Sequence, residues 1–345
     1  MLERPPLKDE HIAACLRDAY GLTITEITFL PLGADQNTAV FRALTNDNTP
    51  YFVKLRSGNF NPITVDVPKF LFDQGINSII APIPTQSDKL SVRLGEFNLI
   101  LYPFIEGQGG FDKALSDHDW TVFGQALKQI HTITLPPELA ARISHESYSS
   151  RWCEQAHQFQ SLVTEHTFTD PIAAELAAFM QAHRVQINHL IQRAEDLCTL
   201  AQRQPSTPIL CHTDIHVGNI LLSTSGQLFI VDWDDPIFAP KERDLMFIGS
   251  GIGGAGHTAD QEEALFYAGY GQTDVDPIVL AYYRYERIVI DLVVYCQQLL
   301  LTNEGGEDRA NGLRQITGQF GPGQVIEMAY RTERLLPPDH QSPWL

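Results

Sequence analysis

Apolar and polar positions alternate with a period of two through Thr23–Leu30, and apolar residues dominate two further short runs, Ala39–Leu44 and Tyr51–Leu55. This part of the chain therefore predicts strands. Asn46-Asp-Asn48 and Thr49-Pro50 supply turns between them. One charge, Lys54, interrupts the third run. A helical pattern from Glu10 to Tyr20 precedes the strands, and a second helix is predicted from Val67 to Gln74. Asp66 is placed to cap that helix, Pro68 falls in its first turn and Gly75 ends it. Strands near Lys89–Leu94 and Phe97–Tyr102 follow.

Beyond Ser116 the period lengthens. Trp120, Phe123, Leu127 and Ile130 recur at helical spacing within Asp117–His131. Asp170-Pro171 reads as a cap and first-turn proline for a long helix running to about Arg203, and Ala281–Leu301 is again helical. Between them, Ile220–Leu222 and Leu228–Val231 flank Ser225-Gly226 as a β-hairpin. Strands first and helices afterwards predict an α+β fold of two lobes. The expected division is an N-terminal lobe of residues 1–102, a hinge at 103–110 where Pro103, Gly107, Gly109 and Gly110 cluster, and a helical lobe over 111–345.

Charge narrows the choice of partners. The chain of 345 residues carries 42 Asp+Glu against 24 Lys+Arg, a formal net charge of −18. Such a field repels phosphate backbones and anionic membranes and favours small cations and divalent metal ions, so neither nucleic acid nor membrane is expected as a partner. With 43% hydrophobic and 19% charged residues, the composition builds a core and does not describe an acidic disordered tail. Cys15, Cys153, Cys198, Cys211 and Cys296 are scattered and form no CxxC pair, which argues against a disulfide framework or a zinc ribbon. No signal peptide or bilayer-length apolar run is visible, so a soluble cytoplasmic protein is expected. Oligomeric state is not legible.

The stretch richest in chemistry is Cys211-His-Thr-Asp-Ile-His-Val-Gly-Asn219, then the hairpin, then Ile230-Val-Asp-Trp-Asp-Asp-Pro236. Asp214 and Asn219 lie on a loop before one strand and Asp232 ends the next, so two carboxylates and an amide oxygen can converge. Oxygen ligands of this kind suit Mg²⁺, and a carboxylate not committed to metal can accept a proton from a hydroxyl. Two other readings are weaker. His212 and His216 lack the adjacent Glu and third ligand of a metallohydrolase. Gly249-Ser-Gly-Ile-Gly-Gly254 satisfies GxGxxG, with Asp274 and Asp276 downstream, but Lys241–Phe247 leads in and two helical stretches follow with no clear second strand, whereas a dinucleotide fold requires a βαβ unit.

This His-x-Asp-x-x-x-x-Asn … Asp pattern resembles the protein-kinase-like superfamily, and in detail the aminoglycoside phosphotransferase family. Asp232-Trp-Asp-Asp-Pro236, Ala239–Gly249, Tyr282–Ile288, Pro68–Gly75 and Tyr102–Gly107 are similar to the spectinomycin phosphotransferase branch. The resemblance implies a bilobal kinase-like fold and transfer of the γ-phosphate of ATP (or GTP) to a hydroxyl of a small cationic aminocyclitol. It implies Asp214 as catalytic base, Asn219 and Asp232 as Mg²⁺ ligands, and Lys54 on the nucleotide phosphates. Leu32–Asn37, with Gly33 and Asp35, would cover those phosphates, and backbone groups around Tyr102 and Phe104 would meet the adenine. His212 and His216 would shape the loop. Asp234, Asp235, Glu242, Tyr283 and Glu286 are candidates for the substrate wall, with Asp291 beside them. Kinases pair the strand lysine with a helix glutamate, but here the second helix offers only Asp66 and Asp73. The alternatives are a kinase of a metabolite alcohol such as choline, homoserine or a thiosugar, and a catalytically silent nucleotide-binding module.

Overall fold

The computed structural model describes residues 3–33, 37–249, 256–303 and 305–343. Along the chain, α1 (Asp9–Tyr20) leads into β1 (Ile24–Leu30), β2 (Thr38–Thr45) and β3 (Pro50–Arg56). Next come α2 (Ile63–Asp73), β4 (Val92–Leu94), β5 (Phe97–Pro103) and β6 (Gly107–Gly109). The chain then turns helical with α3 (Asp117–Thr132), α4 (Pro137–Ala140), α5 (Arg151–Glu165), α6 (Pro171–Ala182) and α7 (Arg184–Ala201). Four short strands follow, β7 (Ile209–Cys211), β8 (Ile220–Ser223), β9 (Leu228–Ile230) and β10 (Ile237–Ala239). The last helices are α8 (Glu242–Leu245), α9 (Ala259–Tyr270), α10 (Pro277–Leu300), α11 (Gly306–Gly318) and α12 (Val325–Glu333). The expected α+β class is what the chain adopts, strand-rich first and helical afterwards.

Two compact units form from separated segments. Residues 1–113, 132–143 and 217–236 make one, and residues 114–131, 144–216 and 237–345 the other. In the first, five antiparallel strands run in the order β1-β2-β3-β5-β4. The core lies between this sheet and α1, where Ile12 and Leu16 pack against Phe41, Val53, Leu55, Leu99 and Leu101. Each such side chain contributes about 1.5–3 kcal/mol of burial. Lys54 lies on β3, between Val40 of β2 and Ile100 of β5, so it belongs to a central strand. A smaller sheet of β6, β8 and β9 completes the unit.

Helix α2 corrects the expectation made for it. It begins at Ile63, where the Asn61 carboxamide oxygen accepts from the Ile63 N–H at 3.2 Å, so Asp66 is a first-turn acid and not the cap. Pro68 therefore sits inside the helix, at the cost of one backbone hydrogen bond.

In the second unit α10 is the central element, packing against α5, α6, α7, α11 and α12. It is buried nearly all round, and Tyr282, Tyr283 and Tyr285 are fully buried. Asp276 caps it, its carboxylate accepting from the Ile278 N–H at 2.9 Å and the Val279 N–H at 3.1 Å, with Pro277 in the first turn. The single long helix expected from Asp170 to about Arg203 is two helices. They part at His183, whose imidazole stacks on Phe179 at 4.1 Å and meets the Phe320 ring edge-on at 5.3 Å. Residues 250–255 of the glycine-rich run lie outside the described residues. The segment leading into it contains the short helix α8, and α9 follows, so the βαβ surroundings of a dinucleotide site are not found among the described residues. No helix of the described residues is long and apolar enough to cross a membrane.

Candidate active site

In the first unit the lysine on β3 finds its partners on the segment after β9. Lys54 Nζ lies 2.8 Å from Asp232 Oδ1 and 3.0 Å from Asp234 Oδ1. Arg56, two residues along the same strand and so on the same face, pairs with the other oxygen of Asp234. Burial opposes the charge on Lys54, but the carboxylates of Asp232 and Asp234 overcome it and raise its pKa above the ordinary lysine value. Burial likewise lifts the Asp234 carboxyl, against the pull of Lys54 and Arg56. Asp66 and Asp73, the acids that the second helix offers, are engaged elsewhere. Asp66 pairs with Arg142 at 2.5 Å and Asp73 with Lys69 at 2.5 Å.

The hairpin positions the proposed metal ligands. Ile220 of β8 faces Ile230 of β9, and the Val231 N–H donates to the Asn219 carbonyl at 3.0 Å. Asn219 and Asp232 thus flank the same end of the hairpin. Asp232 has φ +67°, an uncommon conformation for a side-chain-bearing residue, and Trp233 locks the turn by donating its indole N–H to the Ile230 carbonyl at 3.3 Å. Asp232, Asp234, Lys54 and Arg56 balance one another in charge. Asn219 and Asp232, at the same end of the hairpin, offer only oxygen donors for a metal, an amide oxygen and a carboxylate, so the residue types present fit a hard divalent cation.

In the second unit the loop carrying Asp214 is held from beneath. Asp244, with no exposed surface, accepts from the His212 N–H at 2.9 Å, the Thr213 N–H at 2.7 Å and the His131 imidazole at 2.9 Å. His131 also meets the Tyr270 hydroxyl at 2.7 Å. Burial would raise the Asp244 carboxyl, yet His131, His212 and the amide donors hold it below the usual carboxylate range. Thr213 has φ +78°, so the loop turns sharply where Asp244 grips it. His212 Nδ1 accepts from the Asp214 N–H at 3.3 Å, a loop-shaping bond of the kind expected for it.

Asp214 itself is engaged by a group that sequence reasoning missed, Arg287 of α10. His216 Nε2 lies 3.7 Å from Asp214 Oδ1, and burial pushes the His216 pKa down. No spacing rule singles out Arg287, which is 73 residues beyond Asp214. Arg56 was findable, since it follows Lys54 by two on a strand.

The expected substrate wall needs correction. Glu242, Tyr283 and Glu286 are buried with intramolecular partners. Glu242 pairs with Lys241 at 3.1 Å and accepts from the Asp276 N–H at 3.0 Å. The Tyr283 hydroxyl donates to Glu146 at 3.1 Å, and Glu286 pairs with Arg243 and accepts from Tyr282 at 2.6 Å. They brace the interior of the second unit. Asp234 serves Lys54, Asp235 is exposed, and Asp291 pairs with Arg287 at 2.9 Å.

Of the nucleotide candidates, Gly33 takes φ +84° and Asp35 lies outside the described residues. Tyr102 packs edge-on against Phe52, its phenol pKa pushed up to about 12 chiefly by burial, and the Phe104 ring lies 5.4 Å from the Arg42 guanidinium. A surface cavity of about 560 Å³, lined by Pro62, Val65, Asp66, Lys69, Pro84 and Leu90 among others, contains none of the motif residues. His131, Cys211 and Asp244 sit close enough to suggest a metal cluster, but burial keeps the Cys211 thiol protonated and His131 is bonded through both nitrogens.

Residues 28–274 match the phosphotransferase enzyme family. The structure is similar to that of spectinomycin phosphotransferase, APH(9)-Ia, in complex with ADP and spectinomycin, at 36% identity and a TM-score of 0.87 over 96% of this chain and 100% of that one. An AMP-bound complex of the same enzyme gives 34% identity and a TM-score of 0.84, over 95% of this chain and 100% of that one. Protein StrN of Streptomyces griseus is 23% identical over 227 residues, 63% of this chain and 67% of that protein. Choline kinase LicA from Streptococcus pneumoniae shares the fold, with a TM-score of 0.56 at 14% identity, over 94% of this chain and 99% of that one.

Proposed function

The chain belongs to the phosphotransferase enzyme family, and on that premise we propose that it is an ATP- and Mg²⁺-dependent O-phosphotransferase whose acceptor is a hydroxyl of a small cationic aminocyclitol of the spectinomycin type. The observation that carries this reading is the likeness, at 36% identity over 96% of the chain, to an enzyme bound to ADP and spectinomycin. Residues 1–102 would serve as the nucleotide lobe, 103–110 as the hinge and 111–345 as the lobe that carries the acceptor.

The chain's own residues have these roles in the reaction. Lys54 exchanges its two carboxylate partners for nucleotide phosphate oxygens and so keeps a counter-charge in either state. Asn219 and Asp232 would hold Mg²⁺, which would supply neutralisation of the nucleotide's phosphate charge. Asp214, on a loop braced by Asp244, accepts the acceptor hydroxyl proton. Phosphoryl transfer through a loose transition state asks mainly for positioning and charge neutralisation, which these groups supply.

A panel of spectinomycin, other aminocyclitols, choline, homoserine and a thiosugar, each with ATP and with GTP, tests the acceptor by nucleotide consumption and product mass. Phosphorylation of choline or homoserine, with spectinomycin left unmodified, would move the assignment to a metabolite kinase, a reading the shared choline-kinase fold keeps open. Asp214→Asn should lower kcat by about 10²–10⁴-fold, the usual contribution of a general base, while nucleotide affinity changes little. Parent-like turnover in that variant removes Asp214 from the base role.

A further inference from the structure

The contact on Asp214 is part of a built cluster. The Arg287 guanidinium offers one edge to Asp214 Oδ1 and its Nε to Asp291 Oδ1, 2.9 Å away and one helical turn along α10. Asp291 is held in turn by the Gln319 carboxamide, which donates to Oδ2 at 2.7 Å. The face of the guanidinium lies over the Phe247 ring, 5.5 Å from its centroid, and the His216 ring meets Phe247 edge-on, also at 5.5 Å. Arg287 is therefore fixed on three sides by groups that have no other evident reason to converge on a catalytic loop. An i,i+4 pair with Asp291 would satisfy a helix arginine by itself. The further contact with Asp214 joins α10 to a loop far away in sequence.

We propose that Arg287 is a positioning residue for Asp214, anchored by Asp291 and Phe247, that fixes one carboxylate oxygen of Asp214 and thereby orients the other part of the group toward the acceptor hydroxyl. The inference rests on the reading of Asp214 as the base. Asp244 grips the backbone of His212 and Thr213, and Arg287 grips the side chain of Asp214. Between them the backbone and the side-chain torsions of the catalytic group are both constrained. A charge-assisted bond also favours the ionised carboxylate, the form that accepts a proton. Since a misplacement of about 1 Å can cost about 10²-fold in rate, losing the clamp should be felt in kcat and not in substrate binding.

The test compares Arg287→Met, Arg287→Lys and the double variant Arg287→Met/Asp291→Asn, which removes the acid that Arg287→Met would leave without its cation. Steady-state kinetics use whichever alcohol of the panel the parent phosphorylates, so a failure of the spectinomycin reading shows in the parent and leaves the comparison intact. If no alcohol is accepted, slow hydrolysis of MgATP is compared instead. Arg287→Met should lower kcat by about 10²-fold with KM values within about threefold, and Arg287→Lys should recover a large part of the loss. The double variant should keep the parent's melting temperature to within a few degrees but remain slow. In an Asp214→Asn background, Arg287→Met should change the residual rate little. A folded double variant that turns over at the parent rate overturns the proposal, as does an undiminished loss in the Asp214→Asn background. Strictly additive effects of Arg287→Met and Asp214→Asn on melting temperature would show that the contact is absent, without recourse to any acceptor.

Discussion

Each motif residue reads differently once its neighbours are known. Lys54 is the clearest case, since a lysine in an apolar strand needs a counter-charge and the hairpin segment provides two. Lys54→Met should reduce kcat/KM for the nucleotide by about 10–100-fold, the value of one charge-assisted bond to phosphate. Stability should fall only modestly, because Arg56 still neutralises Asp234. A parallel loss in thermal melting would show that the lysine serves the fold and not the nucleotide. Asp244 gives a pH signature. Its folded carboxyl lies below the ordinary value of about 3.9, so it stabilises the folded state above that pH and the contribution is lost as pH falls toward the folded value. Below about pH 4 the parent should therefore lose stability more steeply than Asp244→Asn, and superimposable slopes in acid denaturation would contradict the assignment. Spacing placed Asn219 before and Asp232 after one hairpin, and the two do flank it. Glu286 and Glu242 could be read either as substrate wall or as ion-paired interior, because acidity in a sequence does not tell a solvated carboxylate from one buried against an arginine or a lysine, and the pairing of Arg287 with Asp214 gave no signal because the two are distant in the chain.

Elements were legible where a period or a cap spoke, and less so where packing decided. The strands from Ile24 to Arg56 and the hairpin at Ile220–Ile230 followed from apolar runs and turn residues. Helix α2 started earlier than its apparent cap: the Pro62 carbonyl already accepts from the Val65 N–H at 3.1 Å and the Asp66 N–H at 3.0 Å. The crossing of α3 and α9 had no signal at all. A Cβ on Gly124 would stand 2.1 Å from the Phe266 carbonyl oxygen, and one on Gly269 would stand 1.9 Å from the Thr121 carbonyl oxygen. Each glycine makes room for the other helix's backbone, which cannot move aside as a side chain can. Gly269→Ala should therefore destabilise by about 1–3 kcal/mol or more, although alanine is the better helix former by about 1 kcal/mol. Chemical denaturation with an unchanged midpoint would show that the two helices separate freely. Asp276→Ala removes a two-bond cap from α10, the helix that carries Arg287, and should cost about 1 kcal/mol by the same measurement.

For the molecule as a whole, the net charge of −18 acts on substrates before any contact is made. It takes on a direction around Asp214, where the neighbouring groups sum to an excess of anion. Asp214 and Asp291 share the one guanidinium of Arg287. On the proposed reading, a cationic acceptor approaching this loop would be drawn both by the overall field and by that local surplus, whereas the nucleotide, itself an anion, would rely on Lys54, Arg56 and the metal it brings. Added salt should separate the two. Raising ionic strength from about 0.01 to 0.1 M shortens the screening length from about 30 to about 10 Å. Over that range kcat/KM for a cationic acceptor should fall several-fold, while an uncharged alcohol of similar size should respond less than about twofold and the KM for MgATP should stay level or decrease. Identical salt responses for charged and uncharged acceptors would mean that the acidity of this chain is solvated surface and takes no part in choosing what it phosphorylates.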